Sequence, residues 1–308
     1  MKTIVITGIT GFIGSHIGQK LVLDGYKVYA LYRTSSSFDK CNHFKNSISW
    51  INIDEKDWEQ RILNLQVDIL IHTAWSGITA DSRNNWQLQI ENFWFAKKIF
   101  DLAVQSNTKQ IISLGSQAEY GSFTAYTDET SICFPLEAYG SVKLLTCNYL
   151  MSLATSHNIQ VQWIRIFTIF GEGEKENMLI PATINKLLNS ESINLTECEQ
   201  EYNYLYIEDF VKYFTFLLQP NVFPSGIYNI CNKSPKSIRS LLIQIANRLE
   251  KPVDLLKFGA LPYRENQNMQ IIGNPDKFGS VIGKTLEADI TIGLEKTINS
   301  IKLKNENF

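Results

Sequence analysis

The sequence predicts an α/β fold built on a doubly wound parallel sheet, with room for a second, smaller C-terminal domain. Three observations carry that expectation. Residues 3–7, Thr-Ile-Val-Ile-Thr, are a β-branched run with the composition of a strand buried on both faces. Gly8, Gly11 and Gly14 follow at three-residue spacing, and apolar residues then recur at Phe12, Ile13, Ile17, Leu21 and Val22 with the period of a one-faced helix. The length, 308 residues, suits about two domains.

Gly25 ends the first helix in the usual way. Strand, tight glycine turn and helix form the geometry that aims helix N-terminal N–H groups at a phosphate. A turn without a ligand gives the same spacing, but its place between strand and helix favours dinucleotide binding. Bulk composition narrows the rest. The chain is 44% hydrophobic with a formal charge of −2, so it lacks the basic stripe of a nucleic-acid binder. Five scattered cysteines without a C-x-x-C pair read as free thiols in a reducing compartment and argue against structural zinc. No apolar run is long enough to span a bilayer, and the chain enters a strand at once, without a signal peptide. A cytoplasmic protein with no membrane or nucleic-acid partner is expected.

Lys27–Tyr32 reads as the second strand. No acid follows it before Asp39, where NAD-binding chains bond the ribose 2′-hydroxyl. Arg33, Ser35 and Ser36 suit a 2′-phosphate instead; a solvated serine loop is the plainer reading. Residues 48–53 and 68–72 read as the third and fourth strands, the latter ending in Thr73-Ala74. His72 reads as a core residue, having no partner at metal spacing. Residues 84–106 have helical periodicity, with Asn92 inside. Residues 110–114 form the fifth strand, ending in Gly115-Ser116, and a loop is expected over 122–136. Tyr139 and Lys143 open the next helix, which runs to about His157; positions four apart share a face. Residues 160–167 and 226–231 read as the sixth and seventh strands, and 237–250 and 290–301 as helices.

The G-x-x-G-x-x-G turn, Ser116 four residues before Tyr120-Gly121, and Tyr139-x-x-x-Lys143 beyond the fifth strand together resemble the short-chain dehydrogenase/reductase superfamily. TGITGFIG resembles its extended branch, the NAD-dependent epimerase/dehydratase family. The resemblance runs nearly end to end and is weakest after residue 270. It implies a Rossmann domain over 1–171 and about 204–231, and a discontinuous substrate domain over 172–203 and 232–308. Gly8, Thr10, Gly11, Phe12, Ile13, Gly14, Arg33, Ser35, Ser36, Asp54, Ala74 and Asn92, with Tyr139 and Lys143, would hold NADP(H), NAD(H) being possible. Asn92 would relay protons behind the lysine, or simply lie on a polar face.

The resemblance makes Ser116, Tyr139 and Lys143 catalytic. A free phenol has a pKa of about 10, and a nearby ammonium lowers it. Tyr139 would then exchange a proton with a substrate oxygen that Ser116 also holds, while Lys143 bonds the nicotinamide ribose. Family members that dehydrate hexoses carry Asp-Glu where Gln117 and Ala118 stand, and 3,5-epimerising members carry Cys at Ala118. What remains is hydride chemistry at one carbon. The substrate set would be Ser116, Gln117, Thr168, Asn177, Leu179, Tyr202 and Arg264. Thr168 stands where Asn is usual, and Tyr202 where Arg is usual. Arg264 would then be the main cation for a nucleotide diphosphate, or a surface residue. The implied function is NADPH-dependent reduction of a nucleotide-linked 4-keto-6-deoxyhexose. The alternatives are an NAD-dependent nucleotide-sugar 4-epimerase and a catalytically silent dinucleotide-binding protein. The helices over 84–106 and 137–157 would pair two copies into a homodimer.

Overall fold

The computed structural model describes residues 2–121, 126–219, 222–265 and 267–306. Residues 122–125 of the expected loop, and Asn266 near Arg264, lie outside them. The chain divides into two compact units. One comprises Met1–Ser122, Glu129–Ile166 and Val211–Asn229; the other comprises Phe123–Asp128, Phe167–Phe210 and Ile230–Phe308.

The first unit is organised on a seven-stranded sheet. Its strands are β1 (Thr3–Thr7), β2 (Lys27–Tyr32), β3 (Ser49–Asn52), β4 (Ile69–His72), β5 (Gln110–Ser116), β6 (Gln160–Ile166) and the Gly226–Ile230 strand. The spatial order is β3, β2, β1, β4, β5, β6, then Gly226–Ile230. Neighbours from β3 to β6 are parallel, with Val5 paired to Tyr29 on one side and Leu70 on the other. Strand order reverses between β1 and β4, so the ends of those strands define the crevice where doubly wound sheets take ligands.

Helices α1 (Phe12–Leu23), α2 (Trp58–Leu63), α3 (Trp86–Gln105) and α4 (Ala138–His157) accompany the sheet. Ile99, Phe100 and Ala103 of α3 share one apolar cluster with Cys147 and Leu150 of α4 and Val5, Leu70, Ile111 and Trp163 of the sheet. The two helix starts are secured differently. Asn85 caps α3 by accepting the Leu88 N–H at 3.1 Å. Glu137 gives α4 no side-chain cap. There the Ala138 N–H donates to Asn84 Oδ1 at 3.0 Å and the Tyr139 N–H to the Arg83 carbonyl at 2.9 Å. The segment before α3 thus satisfies two first-turn donors of α4. His72 is a core residue, its Nδ1 2.9 Å from Thr7 Oγ1 and its pKa lowered by burial to about 3.

The second unit contains short strand pairs. Thr168–Phe170 pairs with Tyr204–Tyr206, Glu201–Tyr202 with Lys236–Ser237 and Gln270–Ile271, and Ile193–Asn194 with Leu256–Lys257. Helices Leu179–Leu188, Ile238–Arg248 and Ile290–Glu306 belong to this unit. The last runs five residues past the expected end at Ile301. Among the described residues no helix is long and apolar enough to cross a membrane.

Candidate active site

The glycine turn between β1 and α1 has little freedom. Gly8 has φ +73°, in the left-handed region, and a side chain there would also meet Ala74 N at 2.5 Å. The Gly11 N–H closes the turn on the Gly8 carbonyl at 3.0 Å. A Cβ on Gly14 would lie 2.1 Å from that same carbonyl oxygen. Glycine at 14 therefore lets α1 pack onto the turn. Helix geometry leaves the N–H groups of Phe12, Ile13 and Gly14 without intrahelical partners. A cavity of about 220 Å³ opens here, lined by Gly8, Thr10 and Gly11 together with Ala74, Asn92 and Phe95.

Arg33 and Ser36 also line the cavity. The Ser36 hydroxyl accepts the Arg33 N–H at 3.1 Å, and the Arg33 guanidinium lies 5.9 Å from the Phe95 ring centre. Ser35 is exposed and outside the lining, so Ser36 alone of that pair reaches the cavity. Asp54 is also outside it. Its carboxylate accepts the Thr34 N–H at 2.7 Å, and that bond, with the Arg33 charge behind it, holds its pKa below the usual range. Asn92 is buried in α3, and its side chain is fully engaged. Its Oδ1 accepts from Ser76 N, and its Nδ2 donates to the carbonyls of Ser76 and Leu88, so the side chain secures the segment after β4.

Ser116 ends β5 and starts a short 3-10 turn at Gln117–Glu119. Its Oγ accepts the Ala118 N–H at 3.2 Å, and Glu119 Oε1 accepts the Ser116 N–H at 2.7 Å, a reciprocal cap. Glu119 is fully buried and is held by Arg165 Nε at 2.8 Å and Trp163 Nε1 at 3.0 Å. The adjoining Gln117 and Ala118 carry no titratable group. The Ser116 side chain stands beside the Tyr139 phenol and favours its ionised form. Two hydroxyls therefore converge at the C-terminal end of β5, where α/β sheets place ligands.

The electrostatics reverse one expectation. Burial raises the Tyr139 pKa above that of a free phenol; the Ser116 hydroxyl and the Arg83 charge oppose this, and Glu119 adds to it. Lys143 is also buried. Its Nζ donates to the Leu114 carbonyl at 2.7 Å and lies 3.7 Å from the Trp75 ring centre. Desolvation lowers its pKa to about 7, against the opposing pull of Glu119. Burial therefore weakens the ammonium that the spacing implies.

The substrate candidates of the second unit occupy varied settings. Thr168 begins a strand, Leu179 opens a helix, and Asn177 is exposed just before it. The Tyr202 hydroxyl accepts from Gln267 Nε2 at 3.2 Å, and Arg264 acts on it as a nearby charge. Trp75, Arg83 and Glu119 complete the surroundings of Tyr139 and Lys143, yet none was singled out in the sequence. Only Glu119 carries a local signal, the Ser-x-x-Glu capping pattern from Ser116.

Fold and site together define a doubly wound α/β protein with a Tyr-x-x-x-Lys helix laid against its fifth strand. The chain belongs to the NAD dependent epimerase/dehydratase family, whose profile matches residues 4–231. It is similar to CDP-abequose synthase of Salmonella muenchen, 24% identical over 97% of this chain and 97% of that protein. It is equally similar to dTDP-4-dehydro-6-deoxyglucose reductase of Escherichia coli, 24% identical over 98% of each. The solved UDP-glucose 4-epimerase of Thermotoga maritima, with UDP-glucose, shares the fold at a TM-score of 0.88 and 18% identity, covering 98% of this chain and 99% of that one.

Proposed function

We propose that the protein is an NADP(H)-dependent reductase that converts the 4-keto group of a nucleotide-linked 6-deoxyhexose to an alcohol. One observation carries the reading. Ser116 and Tyr139 present neighbouring hydroxyls at the end of β5, while Gln117 and Ala118 beside them offer no acid or base for dehydration. The similarity to a dTDP-4-dehydro-6-deoxyglucose reductase supports the substrate class.

The residues at the glycine turn fit a dinucleotide. The turn would clash with a side chain at Gly8 or Gly14, and first-turn N–H groups are available to a phosphate. Arg33 and Ser36 would receive a 2′-phosphate. A bound nicotinamide supplies the hydride. Ser116 donates a hydrogen bond to the C4 oxygen, and Tyr139 gives that oxygen its proton. Lys143, anchored on the Leu114 carbonyl, would bond the nicotinamide ribose. In the second unit, Thr168, Asn177, Leu179, Tyr202 and Arg264 are the residues that would take the nucleotide sugar.

Asp54 favours a second reading, an NAD-dependent nucleotide-sugar 4-epimerase. A carboxylate held to Thr34 and acting on Arg33 opposes an added phosphate there. Turnover against UDP-, CDP-, GDP- and dTDP-linked 4-keto sugars separates them. The reductase consumes NADPH stoichiometrically. Interconversion of 4-epimers without net consumption establishes the epimerase, and no turnover of either kind leaves a silent dinucleotide-binding protein.

A further inference from the structure

We propose that Arg83 is a positioning residue for Tyr139, its guanidinium orienting the phenol and supplying the positive charge beside it. The proposal rests on the reading of Tyr139 as proton donor. Arg83 Cζ lies 4.5 Å from the centre of the Tyr139 ring, within the range where a guanidinium is drawn to an aromatic face. Its Nε donates to Glu137 Oε2 at 2.7 Å, which fixes the fork over the ring. Its carbonyl accepts the Tyr139 N–H at 2.9 Å. One residue thus holds Tyr139 by both backbone and ring.

The segment that carries Arg83 is itself tied down. The Arg83 N–H donates to the Thr79 carbonyl at 3.0 Å, and buried Gln89 donates to the Gly77 carbonyl at 2.8 Å. Asn84, next in the chain, accepts the Ala138 N–H at 3.0 Å. These bonds set the guanidinium without requiring a bound ligand.

The charged and titratable groups around the phenol leave this role to Arg83. Glu119, from the turn after β5, is negative and is bound to Arg165. Glu137, immediately before α4, is paired with Arg83. Lys143, on α4, is directed to the Leu114 carbonyl and lies over Trp75. Ser116 contributes a hydroxyl without charge. When Tyr139 gives its proton to the substrate oxygen, a phenolate remains, and the Arg83 charge stabilises it. Arg83 is 26% exposed and Glu137 44%, so solvent moderates the effect.

The test follows the phenol directly. Protein labelled with 3-fluorotyrosine is titrated by fluorine NMR, and the Tyr139 resonance is assigned by its loss in Tyr139→Phe. Fluorination makes the phenol more acidic, which brings its midpoint toward the range where the chain stays folded. Arg83→Met is expected to raise that midpoint by about one pH unit. Arg83→Lys, which keeps the charge, should restore most of the shift. An unmoved midpoint in Arg83→Met overturns the proposal. If that variant fails to fold by circular dichroism, an unmoved midpoint in Arg83→Gln overturns it equally. The midpoints do not depend on turnover. Full activity in Tyr139→Phe would instead reject the proton-donor reading and leave the titration result standing.

Discussion

The Nζ of Lys143 lies 3.7 Å from the centre of the Trp75 ring, so an aromatic face stands where water would otherwise solvate an ammonium. With a folded pKa of about 7 and an unfolded value of about 10.4, Lys143 releases its proton in the folded chain first. Between those values the unfolded chain holds the extra proton, so stability rises with pH. This contribution is complete above the unfolded value and is lost as pH falls toward 7, at up to about 1.4 kcal/mol per pH unit. Lys143→Met should therefore gain most over wild type near pH 7 and least near pH 10, as read by urea denaturation. The opposite trend would show that the buried lysine stays charged.

Tyr139→Phe should lower turnover by roughly 10²–10⁴-fold, the usual range for a general acid. Phenylalanine keeps the ring against Arg83 and Trp75 and removes only the hydroxyl. Cofactor affinity, measured by fluorescence titration, should hardly change. Activity within tenfold of wild type would remove Tyr139 from the mechanism.

Arg33→Ala should reduce NADPH affinity about tenfold and leave NADH affinity nearly unchanged. The low end of the range for a charged hydrogen bond applies, because Arg33 is exposed. Its guanidinium also lies over Phe95, and a planar cation can equally stack on adenine. Stacking would serve both cofactors, so equal losses in isothermal titration would reject the 2′-phosphate contact. A wild-type preference for NADH would favour the epimerase.

A homodimer through α3 and α4 should be seen by light scattering at micromolar concentration. Of the apolar residues that suggest it, Leu150 is in the core and Phe95 lines the cofactor cavity. Phe93, Leu144 and Tyr149 are partly covered within the first unit. Trp86, Trp94 and Leu145 remain 57%, 59% and 43% exposed, more apolar surface than a solvated helix face needs. Trp94→Glu should weaken the dimer, and a monomeric wild type would exclude it.

Much of this was legible in the chain because it is local. The β-branched run of β1, the three glycines and the four-residue step from Tyr139 to Lys143 each encode their geometry within a few residues. Arg83 and Tyr139 are brought together by folding across a stretch without a pattern, and no spacing announces that contact. The same holds for Trp75 over Lys143. The lysine was recognised in the sequence, but its charge depends on burial, which only packing sets. Asn92 was also found, yet its bonds to Ser76 depend on how the chain turns after β4. Ser35 and Ser36 are chemically identical neighbours, and loop geometry decided which reaches the cavity.

The buried pair of Glu119 and Arg165 constrains how this loop can diverge. Removing either partner strands the other's charge in the core, at about 3–5 kcal/mol. An evolutionary path that alters one first must cross a chain close to unfolding. Gln117 and Ala118, two positions and one position earlier, carry no such debt. New acids or thiols can be tried there singly, so the loop has two positions open to new chemistry beside a third locked in place.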